Sequence, residues 1–183
     1  NGIEKDYSKI LNNYKKKIIE RNNILKKFNY DINWINQVEN EIVNYGLKIF
    51  EIRKNYITTL NSEIKSLPII NQNIHSFELQ IIDDFLGNHD INEEEFKLKY
   101  LLKIKDAREH DGIIGGCKIG PHKSDIYGTY LSNNLNLALC STGQQKAIVL
   151  LMIIAQSKYL INELNRQPII LLDEICSHLD ESN

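Results

Sequence analysis

Residues 168–180, Pro-Ile-Ile-Leu-Leu-Asp-Glu-Ile-Cys-Ser-His-Leu-Asp, constrain the fold more than any other stretch of this 183-residue chain. Four aliphatics, Ile169 to Leu172, run directly into Asp173 and Glu174. A short, wholly apolar run is how a strand buried on both faces reads, and such strands belong to parallel sheets covered by helices. Carboxylates at the carboxyl end of such a strand stand where open α/β sheets meet their ligands. The stretch predicts an α/β chain with acid groups delivered by a strand. Taken by itself, it also fits an ordinary buried strand whose exit is acidic.

Upstream, Ser141-Thr142-Gly143-Gln144-Gln145-Lys146 opens a second informative segment. Ser141 followed three residues later by Gln144 is a capping-box pattern, which marks a helix start. Residues 147–155 are apolar all round and predict a helix buried on most faces. A helix N-terminus with unpaired N–H groups, a hydroxyl and a nearby glycine is also an anion site. A capped core helix and a phosphate contact are thus one physical object.

Phosphoryl transfer is largely positioning and charge neutralisation. Alternation at a strand end aims neighbouring carboxylates differently. Asp173 is accordingly the candidate Mg²⁺ ligand, and Glu174 the candidate catalytic residue that polarises the attacking water. Ser177-x-Leu179-Asp180 follows directly, and alone would read as another helix cap. A phosphate-cradling P-loop needs Gly, four residues, Gly, Lys and Ser/Thr. Gly115 and Gly120 have the glycine spacing, but Pro121 and His122 follow. The chain offers groups for a γ-phosphate and a metal without the loop that holds a nucleotide.

Residues 6–66 contain no proline and one glycine, Gly46. Their apolar positions recur at helical spacing, first Ile10, Leu11, Tyr14, Ile18 and Leu25, then Trp34 through Leu60. This predicts two helices broken near Phe28 to Asn33, the second running to about Leu67, in an antiparallel packet. Phe77 to Ile82 predicts a strand. Asn92 to Arg108 predicts a helix with Glu93 to Glu95 at its start and basic residues at its end, as the helix dipole favours. Asp111 to Gly116 reads as a connector, and Cys117 to Ile119 and Ile126 to Leu131 as short strands around Gly120-Pro121-His122-Lys123-Ser124-Asp125. Lys15 to Lys17, Arg21, Lys26 and Lys27 make the first helix basic, by default a solvated face, with DNA-backbone contact as the alternative. His122 reads as a hydrogen-bonded turn residue in preference to a metal ligand.

Formal net charge is −2, so any nucleic-acid contact must be local. The three cysteines lack metal-ligand spacing and suit a reducing compartment. The longest apolar run is too short to span a bilayer.

The Ser141 segment, the Ile169 to Glu174 run and Ser177 to Asp180 resemble the signature motif, Walker B and D-loop of ABC-type ATPases. Gly120-Pro121-His122 placed upstream of them, with Asp6-Tyr7, Tyr14 and Glu20 to Lys26 before it, narrows the resemblance to the RecF family. A zinc-hook Cys-x-x-Cys is absent. The resemblance covers nearly the whole chain. It implies an α/β fold, the C-terminal part of an ABC-type P-loop ATPase head plus an antiparallel helical lid, with the lid over residues 1–110 and the head part over 111–183. It also implies that the Walker A segment precedes Asn1 and that more chain follows Asn183.

In such ATPases ATP is sandwiched between two subunits. Ser141, Gly143 and Gln144 would bind its γ-phosphate in trans, Ser177 and Asp180 would line the nucleotide, and Asp173 and Glu174 would serve the nucleotide of their own subunit. The implied cofactors are ATP and Mg²⁺. The implied partners are gapped or junction DNA, RecO, RecR and a second copy of the protein, in the bacterial cytoplasm, in repair, recombination and the SOS response, with weak DNA-dependent ATPase activity. Lys123-Ser124 stands where the family more often has Arg-Asp, Asp173-Glu174 where it often has Asp-Asp, and His178 is unusual. A non-catalytic helical interaction module is the alternative from another class.

Overall fold

The computed structural model describes residues 6–27, 29–67, 76–83 and 92–172. They form α1 (Tyr7–Leu25), α2 (Ile32–Lys65), β1 (Phe77–Ile82), α3 (Glu93–Asp106), α4 (Arg108–Ile114), β2 (Asp125–Tyr130) and α5 (Thr142–Asn162). The chain divides into two compact units, Asn1–Lys54 with Ile81–Asp125, and Asn55–Gln80 with Ile126–Asn183.

The first unit is a helical packet. Cross-helix contacts fix its directions: Tyr7 meets Arg53, Lys17 meets Glu41 and Arg21 meets Glu39, so α1 runs antiparallel to α2. Phe96 packs on Phe50 and Arg108 bonds Asn36, so the chain from α3 into α4 also runs against α2. The core is the apolar stripe of these helices, including Tyr14, Ile24, Ile35, Ile42, Ile49, Phe96, Tyr100 and Ile104. Gly46 sits inside α2 because Tyr100 lies against it; a Cβ there would stand 2.5 Å from the Tyr100 ring. The glycine's helix penalty of about 1 kcal/mol is offset by that approach.

α3 begins as its sequence predicts. Asn92 caps it by accepting from Glu95 N at 2.8 Å, with Glu93, Glu94 and Glu95 in the first turn. The segment read as a connector is instead helical, since α4 spans Arg108–Ile114. Asp111 is the reason: its carboxylate is drawn into the packet by Arg21, and a helical turn brings it there. Cys117 to Ile119 forms no strand.

β1 and β2, most of whose residues belong to the second unit, form a two-stranded sheet. Leu131 N bonds Ser76 O beyond one end and Ser124 Oγ bonds Asp83 Oδ2 beyond the other, the pairing of antiparallel strands. The buried alternation of Phe77 and Leu79 is the expected period of two. Asn61 of α2 closes the outer edge of β1: its Nδ2 donates to Leu79 O at 2.8 Å and its Oδ1 accepts from Leu79 N at 2.9 Å. The side-chain amide takes the place of a neighbouring strand and blunts an otherwise open edge. α5 packs beside the end of α2, with Tyr159 edge-on to Tyr56 and Asn162 bonded to Glu63.

Candidate functional site

The approach to α5 is built by a hairpin. Tyr130 N bonds Leu135 O at 3.0 Å, and Asn134 sits in the left-handed region at φ 54°. Asn136 then caps a single turn over Leu137–Leu139 and the chain enters Ser141 extended, at ψ 156°. Ser141 Oγ accepts from Gln144 N at 3.3 Å, and Gln144 Oε1 accepts from Ser141 N at 3.1 Å, the reciprocal capping box read from sequence. Gln145 Nε2 donates to Ala138 O at 2.9 Å and braces the same turn.

Ser141 and Thr142 are exposed, and the first turn carries no acidic residue. With the positive end of the helix dipole and its first N–H groups, this is a place where an anion is stabilised. Gly143 is instructive. A Cβ there would meet nothing within 4 Å, so nothing packed around it needs a glycine. The space is open to a group from outside. The Gln144 side chain and the Ser141 hydroxyl are committed to each other in the capping box, Ser141 Oγ also donating to Gln144 Oε1 at 3.1 Å, so an incoming anion would meet backbone N–H groups first. Ser141→Ala should cost about 1 kcal/mol of stability through loss of the cap; chemical denaturation checks this.

α5 is less enclosed than its all-apolar sequence predicts. Ala147, Ile148, Ala155 and Tyr159 are buried, whereas Val149 is 52% exposed. The expected aliphatic strand differs too. Ile169 to Leu172 form no strand, although their exposures alternate: 88% for Ile169, 43% for Ile170, 90% for Leu171 and 50% for Leu172. The alternation is that of a strand, but a strand needs neighbours to pair with, and among the described residues the sheet has only β1 and β2. Asp173, Glu174, Ser177 and Asp180 lie outside the described residues. Of the site residues inferred from sequence, the structure therefore places Ser141, Gly143 and Gln144 together on one turn.

The Gly-Pro-His element is held from several sides. His122 stands on a single 3-10 turn, Pro121–Lys123. Its Nε2 lies 2.7 Å from Cys117 O, which can only accept, so Nε2 carries the proton and Nδ1 accepts from Tyr14 Oη at 2.9 Å. Tyr14 Oη in turn lies 2.8 Å from Tyr100 Oη. The result is a directed chain, Tyr100 to Tyr14 to His122 to the Cys117 carbonyl. Arg53 Nη1 donates to Pro121 O at 2.5 Å and its Nε to Tyr7 Oη at 2.8 Å. Burial raises both Tyr14 and Tyr100 above the ordinary phenol range, so both hydroxyls keep their protons. Burial also pushes the Cys117 thiol up to about 11, leaving it an inert core group.

The same desolvation lowers His122 below its ordinary value, against the Cys117 carbonyl bond, with Lys123 adding to the lowering. The unfolded imidazole binds its proton near pH 6.5 and the folded one only below that. His122 therefore contributes stability above about pH 6.5 that is lost as pH falls through the lowered folded value. NMR titration of the imidazole should give a midpoint below 6.5; a midpoint at or above it contradicts the lowering by burial.

One cluster escaped the sequence reading. Arg21, assigned there to a basic solvated face, is fully buried. Its Nε donates to Glu39 Oε1 at 3.0 Å, its Nη1 to Asp111 Oδ2 at 2.6 Å and its Nη2 to Ile104 O at 2.6 Å. Arg108 grips the same Glu39 from the other side, Nε to Oε1 at 3.0 Å and Nη2 to Oε2 at 2.5 Å. Burial opposes the charge of Arg21, but Asp111 and Glu39 together outweigh it and raise its pKa. The signal was present in the spacing: Arg21 lies seven residues after Tyr14 and four before Leu25, on the apolar stripe of α1. Lys17 is bridged to Glu20 and Glu41 at 3.0 Å each, while Lys15, Lys16, Lys26 and Lys27 stay exposed.

Among the described residues no group of three or more His, Cys, Asp or Glu side chains could hold a metal ion, and no helix is long and apolar enough to cross a membrane.

No family model matches the chain. Individual relatives do. A DNA replication and repair protein RecF from Rickettsia massiliae (strain Mtu5) is 30% identical over 188 residues, covering 98% of this chain and 49% of that protein. The RecF of Rickettsia bellii (strain OSU 85-389) is 29% identical over 187 residues, with the same coverage. That of Agrobacterium fabrum (strain C58 / ATCC 33970) is 25% identical over 186 residues, covering 98% of this chain and 48% of that protein. A solved structure of the recombination mediator protein RecF with ATP, in the RecFOR pathway, superposes with a TM-score of 0.83 at 21% identity, covering 98% of this chain and 48% of that one. The described fold is thus that of about half of RecF. The chain spans about half the length of the curated relatives it matches, and across that span it is similar to RecF in sequence and in fold.

Proposed function

We propose that the chain acts as part of a RecF-like ATPase of DNA replication, recombination and gap repair. In this reading the α5 N-terminus contacts the γ-phosphate of a nucleotide held by a second copy. The observation that carries it is Gly143: an open, glycine-bearing first turn, capped by Ser141 and free of acidic side chains, on a chain similar to RecF over 98% of its length. The donor set suits an anion, which is what a γ-phosphate presents there. Asp173 would hold Mg²⁺, Glu174 would orient the attacking water as the catalytic residue, and Ser177 and Asp180 would line the nucleotide. Bound ATP and Mg²⁺ would supply the phosphoryl group and its charge neutralisation. The helical lid over residues 1–110 and the head part over 111–183 would together clamp duplex or gapped DNA in an ATP-dependent homodimer that hydrolysis releases. RecO and RecR are the partner proteins this reading implies, and the bacterial cytoplasm the compartment.

Ser141→Arg in a protein that also carries a P-loop tests the arrangement. Nucleotide should still bind, while ATP-dependent dimerisation measured by light scattering should be lost, because the phosphate contact is made across the dimer. Loss of nucleotide binding with dimerisation intact would refute a contact in trans. The 183-residue chain alone should show no ATP turnover above background; robust turnover would overturn the assignment of roles between two subunits.

A further inference from the structure

A groove where the end of α1 meets the start of α2 plays no part in the ATPase reading and does not depend on it. Lys16, Ile19, Glu20 and Asn23 of α1 line it at helical spacing, Lys27 stands just beyond the end of α1, Trp34 of α2 forms its wall and the buried Ile24 its floor, with a volume of about 310 Å³. Ile19 is 59% exposed and Trp34 43% exposed. The Trp34 indole N–H donates to Glu20 Oε1 at 3.1 Å, and the Lys27 ammonium stands 5.4 Å from the ring centroid. The ring is thus oriented, with its polar handle satisfied, while its apolar edge and Ile19 face water. Glu20, the groove's carboxylate, shares Lys17 with Glu41, each at 3.0 Å. Lys16 and Lys27 outnumber Glu20 among the lining residues, so the groove is net positive. An oriented aromatic beside an exposed aliphatic, rimmed by two cations, is how an interface anchor site is composed, since little ordering remains to be done on binding.

We propose that this groove docks an acidic amphipathic segment of a partner protein, with one large apolar side chain seated on Ile19 and Trp34 and flanking carboxylates facing Lys16 and Lys27. The charge and the apolar contact area match only when both are present in one ligand. Single-stranded nucleic acid fits less well: Lys27 covers a face of the indole on which a base would stack, and the aliphatic floor offers phosphate nothing.

Trp34 is the sole tryptophan of the chain, so its emission reports on the groove directly. The probe is a blocked, labelled synthetic peptide, Asp-Asp-Phe-Leu-Asp-Asp, titrated into the full chain. Comparators are the same peptide with Ser-Ser at its centre and a short oligothymidylate. The acidic apolar peptide should bind saturably, shift the Trp34 emission and weaken with salt, and the serine peptide should not bind. Lys16→Glu and Ile19→Ser should each weaken binding about tenfold or more with circular dichroism and melting unchanged, both sites being on the surface. No saturable binding to the wild-type chain overturns the proposal, as does equal binding by the serine peptide or undiminished binding by both variants. An emission change with oligothymidylate and none with the acidic peptide gives the groove to nucleic acid and also overturns it.

Discussion

Arg21→Ala is expected to destabilise the helical unit by about 3–5 kcal/mol, the range for removing one member of a buried charge cluster. For a chain of this length that corresponds to a fall of the melting midpoint on the order of 10 °C. Truncation leaves Asp111, only 2% exposed, with the Lys118 N–H at 3.0 Å but without its guanidinium partner. It also leaves Ile104 O without its donor. Glu39 suffers less, because Arg108 still holds both of its oxygens. Arg21→Lys should recover only a minority of the loss, since one ammonium cannot reach three acceptors that a planar fork meets at once. Pairing Arg21→Met with Asp111→Leu should recover more than Arg21→Lys does, because it removes the orphaned carboxylate and not merely its partner. Thermal and urea denaturation of the four proteins decide the point. An Arg21→Ala chain within about 0.5 kcal/mol of wild type, the scatter of ordinary surface substitutions, would show that Arg21 is solvated as its sequence context first suggested.

The same residue shows why some of the molecule was legible in the sequence and some was not. Local signals carried through where local physics decides the outcome. The capping box at Ser141 and Gln144, the helix start with Glu93 to Glu95 in its first turn, and the strand at Phe77–Ile82 all lie where the sequence placed them. The long second helix ends at Lys65, close to the expected Leu67. Charged residues inside helices default to solvent in a sequence reading, because a lone buried charge is costly. Arg21, Glu39, Arg108 and Asp111 escape that default by neutralising one another across helices far apart in sequence, which no single window shows. The helical state of Asp111 to Ile114 follows from that long-range tie, and so did not show in the local glycines. Ile169 to Leu172 fails for the opposite reason. Its residues have the composition and the alternating exposure of a strand, but a ladder belongs to a pair of strands. The chemistry proposed for Asp173 and Glu174 rests on the sequence and on the similarity to RecF.

Gly120→Ala is expected to cost about 3–5 kcal/mol, from two separable sources. The first is backbone. Gly120 has φ 137° and ψ 175°, a region that essentially only glycine occupies, and holding an alanine there costs about 1–3 kcal/mol. The second is space. A Cβ would lie 2.2 Å from Tyr100 Oη and 2.3 Å from Tyr14 Oη, the two hydroxyls that feed the hydrogen-bond chain to His122. Neither tyrosine can yield cheaply, since Tyr14 is 1% exposed and Tyr100 fully buried. The two sources come apart in a mutant cycle. Tyr14→Phe with Tyr100→Phe removes both clashing oxygens, after which the nearest remaining atom, Tyr100 Cζ, stands at 3.1 Å. In that background Gly120→Ala should cost only the backbone share, giving a coupling of about 1–3 kcal/mol between the glycine and the hydroxyl pair. The His122 imidazole midpoint should move in the double Phe variant as Nδ1 loses its donor. It should also move in Gly120→Ala if the alanine displaces Tyr14 from His122. A Gly120→Ala chain that keeps wild-type stability and an unmoved His122 midpoint would mean that the turn can relax without disturbing the hydroxyl pair. In that event Gly120-Pro121-His122 would not be the rigid joint that the crowding of Tyr14, Tyr100 and Arg53 around it indicates.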